Sequence, residues 1–157
     1  MVDIDKIIAN ADACYMAGRI EQALDIYKQV LHREPANPWA CHALGKIAFA
    51  KNDPQTAANL IKKAITHDPN IPQFHNTLGI VLEELGDISN ALKSYKTAVS
   101  QDPDNFEAYH NIAIALISME DYPTAEQNCR IALKIAPGFF VAHNTLGYCL
   151  EQQQQIE

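Results

Sequence analysis

Small and apolar residues in this chain fall on stripes of helical spacing, and the stripes return every 34 residues. Ala23, Tyr27 and Val30 stand at i, i+4 and i+7, and so do Ala57/Ile61/Ala64, Ala91/Tyr95/Ala98 and Ala125/Cys129/Ala132. A second stripe places Ala11, Gly45, Gly79, Ala113 and Gly147 in one phase, where only a tiny side chain lets two helices approach closely. One position earlier come Leu44, Leu78, Ile112 and Leu146, with Asn10 in the first copy. Pro35, Pro69, Pro103 and Pro137 keep the same 34-residue interval. A fixed period of this length means one helical unit copied end to end. The copies are 4–37, 38–71, 72–105 and 106–139, with a partial fifth at 140–157.

Each copy reads as helix A, a short turn, helix B and a proline that ends helix B. The pattern predicts A helices over 4–17, 38–51, 72–85, 106–119 and 140–153. It predicts B helices over 20–33, 54–67, 88–101 and 122–135. Asn37-Pro38 and Asp53-Pro54 are start signals, a capping side chain before a first-turn proline. Gly18, Asn52 and Gly86 suit a left-handed residue ending helix A, whereas Glu120 is a poor fit and predicts a different fourth turn. Helices of about 14 residues are marginal alone, so stability must come from stacking of the hairpins.

Runs such as Asn76-Thr77-Leu78-Gly79, Gly86-Asp87-Ile88-Ser89-Asn90-Ala91 and Ser94-Tyr95-Lys96-Thr97-Ala98, ending at Pro103, resemble the tetratricopeptide repeat. The likeness covers about residues 4–157. It implies an all-α, right-handed superhelical solenoid of antiparallel hairpins, a single array over 1–157 with A helices lining its concave side. It also implies a surface for other chains rather than a catalytic centre.

Composition narrows the partners. Net charge is −7 with no basic stripe, which argues against nucleic acid, since phosphates are neutralised by clustered Lys and Arg. No apolar run approaches the ~18 residues of a membrane span. The start Met1-Val2-Asp3-Ile4-Asp5-Lys6 is unlike a secretory signal, so the chain reads as soluble and cytoplasmic, without membrane insertion. Cys14, Cys41, Cys129 and Cys149 form no Cys-x-x-Cys pair and read as small packing residues.

Chemistry is hard to find. His75 and His143 share the phase of Cys41 and Tyr109 and are expected to face the core, while His32 and His67 suit helix C-termini. There is no His-Glu-x-x-His pair, glycine-rich phosphate loop or Gly-x-Ser-x-Gly elbow. No catalytic residue, metal ligand or cofactor site is expected.

The concave face implied by the resemblance carries more. Its candidate peptide-binding residues are Tyr15, Trp39, His42, Lys46 and Phe49 in the first two copies. The later copies add Asn76, Thr77, Glu83, Glu107, His110, Asn111, Asn144 and Tyr148. The first group supplies aromatic area for anchoring; the second supplies amides and hydroxyls that can bond a peptide backbone. Along this face Asp5, Asp12, Glu83, Glu84, Glu107 and Glu151 oppose the single base Lys46, so a neutral-to-basic protein segment is expected. Two specialised modes of similar proteins do not transfer. The carboxylate-clamp positions read Ile8, Asp12, Ala43, Gln73 and Thr77, and the asparagine-ladder phase reads Ala9, Ala43, Thr77, Asn111 and Thr145.

The expected function is a non-catalytic scaffold or adaptor. The alternatives are the substrate-recruiting arm of a larger bacterial glycosyl- or methyltransferase, or a self-assembling scaffold on a membrane, pilus or organelle surface. The ends differ: Asn10 makes the first helix polar, as a terminal repeat requires, while Leu146, Gly147 and Leu150 keep the interior pattern. This predicts a protein that continues by at least one helix. It also predicts that the piece here self-associates through its C-terminal edge or frays beyond about Leu150.

Overall fold

The computed structural model describes residues 3–156, with Ile156 in its backbone only. Residues 1, 2 and 157, which enter the reading of the two chain ends, lie outside the described residues. Among the described residues all regular structure is α-helical. The helices are α1 Ile4–Met16, α2 Ile20–Arg33, α3 Pro38–Ala50, α4 Pro54–His67, α5 Pro72–Glu84, α6 Ile88–Gln101, α7 Phe106–Ile117, α8 Tyr122–Ile135 and α9 Phe140–Ile156. The four B helices have the predicted bounds, and four of the A helices stop one or two residues early. α9 runs on through Ile156, past the point where fraying was expected.

Starts and stops follow local chemistry. Asn37, Asp53, Asp87, Asn105 and Asp121 each accept the backbone N–H three residues on through the side chain, satisfying donors that the first turn leaves open. Helices B end on residues held out of the helical region, such as Glu34 at φ −128°, ψ 83°, because proline follows. The four A-to-B turns are alike. Gly18, Asn52, Gly86 and Glu120 have φ of 74°, 63°, 78° and 61°. In each, the next residue's N–H returns to a carbonyl five back, as from Arg19 to Cys14 at 2.9 Å and from Asp121 to Leu116 at 3.0 Å. The expectation that Glu120 would turn differently is therefore corrected: the hairpin's hydrogen bonds hold it in the left-handed region despite its Cβ.

The chain forms two compact units, residues 1–77 and 78–157. In the first, α1 packs on α2, α2 on α3 and α3 on α4. Its buried centre is Ala11, Cys14, Ala23, Tyr27, Val30, Ala40, Leu44 and Ile47, and a smaller cluster joins Cys41, Ala64 and Phe74. In the second, α6 packs on α7, α7 on α8, and α8 on α9. The small-residue stripe does what its phase predicts at Gly45 and Gly79, but not at Gly147, where nothing lies within 4 Å of an added Cβ. A Cβ on Gly45 would stand 2.7 Å from Ile61, and one on Gly79 would meet the Tyr95 ring. All four cysteines are buried free thiols; burial pushes Cys129 up to about 12 and raises Cys41 and Cys149 as well, which disfavours thiolate chemistry.

Candidate functional site

The first unit contains a cavity of about 420 Å³ on its A-helix face. Tyr15 from α1 and Trp39, His42 and Lys46 from α3 line it, together with Ile8, Asp12, Met16, Ala43 and Gln73. Four of the predicted groove residues are thus brought together. Trp39 stays 45% exposed, its ring held edge-on against buried Phe74 with centroids 5.1 Å apart. Lys46 places its ammonium 5.2 Å from the centre of the Tyr15 ring, a cation–π contact. Phe49, also predicted, is half-buried and is not part of this lining.

His42 is only 8% exposed. Its Nε2 lies 2.9 Å from Thr77 Oγ1, and its ring is 4.6 Å from Phe74. The Thr77 hydroxyl already donates to the Gln73 carbonyl at 2.8 Å, so at His42 it can only accept. Nε2 therefore carries the hydrogen, and protonation would have to place a second one on Nδ1 of a largely desolvated ring. Burial, and then the nearby Lys46 charge, lower its pKa to about 4.

The second unit repeats this arrangement 68 residues on. His110, also 8% exposed, lies 3.0 Å from Thr145 Oγ1, whose hydroxyl donates to the Val141 carbonyl at 3.0 Å. Phe139 packs on the His110 ring at 5.2 Å and on Phe106 at 5.0 Å. Burial lowers the His110 pKa. The sequence reading assigned His42, Thr77 and His110 to the groove but missed the pairing of His42 with Thr77 and of His110 with Thr145. A usable signal was present: His42/Thr77 and His110/Thr145 are both 35 apart.

The histidines expected in the core are elsewhere. His75 is half-buried and His143 exposed, and each ring nitrogen bonds the carbonyl of the proline six residues back, Pro69 at 2.8 Å and Pro137 at 2.9 Å. That phase accepts the short Cys41 inside, but a polar imidazole reaches instead to the carbonyl left open where the preceding helix B has ended.

Two predicted groove acids are engaged within their own hairpins. The buried Tyr27 hydroxyl donates to Asp12, and the buried Tyr95 hydroxyl donates to Glu83 at 2.8 Å. These carboxylates satisfy phenols that packing has taken from water. Of the remaining predicted residues, Glu107 and Asn144 are exposed, and Asn76 and Asn111 are half-buried. Tyr148 is 44% exposed, with its ring 6.2 Å from that of Tyr122. Among the described residues no cluster of His, Cys, Asp and Glu could hold a metal ion, and no helix is long and apolar enough to cross a membrane.

Solved structures share this fold over nearly the whole chain. A crystal structure of MamA covers 96% of this chain and 82% of its own at 22% identity, with a TM-score of 0.83. PilF of Pseudomonas aeruginosa covers 97% and 69% at 18% identity, with a TM-score of 0.89. YrrB, described as a TPR protein with an unusual peptide-binding site, covers 97% and 78% at 20% identity, with a TM-score of 0.80. No curated protein matches the sequence significantly. Two family profiles do, one described as tetratricopeptide repeat over residues 15–79 and one as TPR repeat over 82–119, more than half of the chain together. With its hairpins, small-residue stripe and left-handed turns, the chain belongs to the tetratricopeptide repeat family, whose members are protein-interaction scaffolds and generally non-catalytic.

Proposed function

We propose that this protein is a non-catalytic adaptor that takes a neutral-to-basic segment of another protein on the A-helix face of its first unit. The observation that carries this reading is the cavity bounded by Tyr15, Trp39, His42 and Lys46. Its walls are mainly aromatic and aliphatic, with a few polar groups at fixed positions, the usual make-up of a recognition pocket. Trp39 is its anchor. Half of the ring is open, and Phe74 already fixes the other half, so little side-chain entropy is lost when a ligand covers it. In the first unit Asp5 and Asp12 outnumber Lys46 along this face, which favours lysine- or arginine-bearing segments, bound less tightly as salt rises. YrrB, which has a peptide-binding site by its description, shares the fold and makes such use of it physically reasonable.

A peptide array followed by titration of the best binders tests this. Trp39→Ala should weaken binding by roughly 2 kcal/mol while the circular dichroism of the chain is unchanged. An array that returns mainly acidic sequences, or binders indifferent to Trp39→Ala, would overturn the proposal.

A further inference from the structure

α8 and α9 meet along a seam that carries two cysteines. The short connection between them, residues 136–139, makes them antiparallel neighbours. Across the seam Gln153 donates to Glu126 at 2.9 Å, and Arg130 holds the same carboxylate at 2.8 Å. Cys129 lies one turn after Glu126, and Cys149 one turn before Gln153. In antiparallel helices those two steps lead the same way, so the Glu126–Gln153 clasp sets the sulfurs against each other. Both cysteines are 0% exposed, and the Cys129 thiol donates to the Cys149 sulfur. The sister copies offer no such pair. The same two phases hold Tyr27 and Ile47, Ile61 and Val81, and Tyr95 and Ala115.

Two thiols in contact have a chemistry that neither has alone. In the closed seam, burial keeps both protonated and out of reach of a small reagent. Their cover is slight, however. Gln153 is half-buried, and α9 packs on α8 and only lightly on α7. Breaking the clasp lets α9 lift from α8, a local opening that uncovers the pair without unfolding the unit.

We propose that Cys129 and Cys149 are a redox-sensitive latch, which closes as a disulfide tying α9 to α8 when a low-molecular-weight disulfide is supplied. The Cys149 thiolate attacks one sulfur of the small disulfide, forming a mixed disulfide and expelling one small thiolate. The Cys129 thiolate then attacks the Cys149 sulfur and expels the second. The two protons given up by the cysteines end on the two released thiols, so the protein pair is oxidised and the reagent reduced. Closing the latch removes the open states of α9. That helix carries Asn144 and Tyr148, so the cross-link fixes the part of the A-helix face that they occupy.

Oxidised glutathione, added to the reduced chain 1–157 without denaturant, is the probe. Trypsin cuts at Arg130 and Lys134, so a Cys129–Cys149 link appears by mass spectrometry as two joined peptides that separate on reduction. This link should form before any that involves Cys14 or Cys41. Gln153→Ala, which removes the clasp and leaves both thiols, should speed it severalfold. In the oxidised protein, amide hydrogens of α9 should exchange about tenfold more slowly or better. Cys129→Ala and Cys149→Ala should each abolish both the link and the added protection, with circular dichroism like the parent. The proposal fails if neither the parent nor Gln153→Ala forms the link, or if it forms only in urea that unfolds the chain. It fails equally if Cys14 or Cys41 is joined first, or if α9 exchanges as fast in the oxidised protein as in the reduced one.

Discussion

At the scale of single residues, the glycines of the A helices separate close packing from mere repetition. Gly79 lies under a ring that cannot retreat, because Tyr95 is fully buried and its hydroxyl is tied to Glu83. Gly79→Ala would gain about 1 kcal/mol of helix propensity but would overpack the hairpin, at a cost of about 1–3 kcal/mol. Gly147 occupies the same phase with nothing around it, so Gly147→Ala keeps the propensity gain alone. Urea denaturation should therefore show Gly79→Ala destabilised and Gly147→Ala stabilised by up to about 1 kcal/mol. A parent-like midpoint for Gly79→Ala would mean that the α5–α6 contact is looser than the geometry indicates. The phase that aligns these glycines is visible in the sequence; the neighbour that makes one indispensable and the other replaceable is not.

At the scale of the element, the hairpin rather than the individual residue decides the turn. Glu120 adopts φ 61°, close to Asn52 at 63°, although the left-handed region costs a residue with a Cβ roughly 1–2 kcal/mol. The helices on either side pay this through their caps and packing. Glu120→Gly removes the strain while adding some entropy to the unfolded chain, so a net gain of about 0.5–1 kcal/mol is expected. Gly86→Glu should lose a similar amount. Thermal denaturation of both variants checks the pair, and a loss of stability in Glu120→Gly would show that the glutamate side chain does something the turn geometry does not reveal. The B helices were legible to the residue because proline, small-residue stripe and turn coincide at their ends. The site was less so. A shift of one residue rotates a helix position by about 100°, so adjacent phases such as Cys41 and His42 cannot be sorted reliably into core and groove from spacing alone. Both are buried, whereas His75, in the Cys41 phase, turns outward to a carbonyl. The tyrosine–carboxylate bonds left no trace either, because Asp12 and Glu83 sit at different positions in their repeats.

At the scale of the whole molecule, each unit holds one neutral, hydrogen-bonded histidine where an imidazolium would be poorly solvated. For His42 the groups around the ring are Lys46, Asp12 and Tyr15 at the cavity and uncharged Gln73, Phe74 and Thr77 from α5. With its pKa lowered to about 4 from the ordinary 6.5, the unfolded chain binds more protons than the folded one between those values. Stability is then fully present above about pH 6.5 and is lost as the pH falls toward 4, by at most about 1.4 kcal/mol per pH unit for one such group. His110 acts in the same direction. The lowered carboxylates Glu21, Asp53 and Glu126 also favour the folded state at neutral pH, but their contribution is lost at lower pH, below their ordinary values of 4.5, 3.8 and 4.5. Acidification from pH 7.5 to 5.5 also reduces the net charge of −7, which by itself would relieve self-repulsion. A fall in stability across that window therefore points to the buried histidines. Asn76 and Asn144 occupy the His42 phase in sister repeats, which makes His42→Asn a conservative probe. Urea denaturation should show the parent losing about 1 kcal/mol or more between pH 7.5 and 5.5, with a clearly smaller loss in His42→Asn and the smallest in the variant that also carries His110→Asn. Equal pH dependence in all three would mean that these rings can take up a proton within the fold, and that the bonds to Thr77 and Thr145 do not hold them neutral.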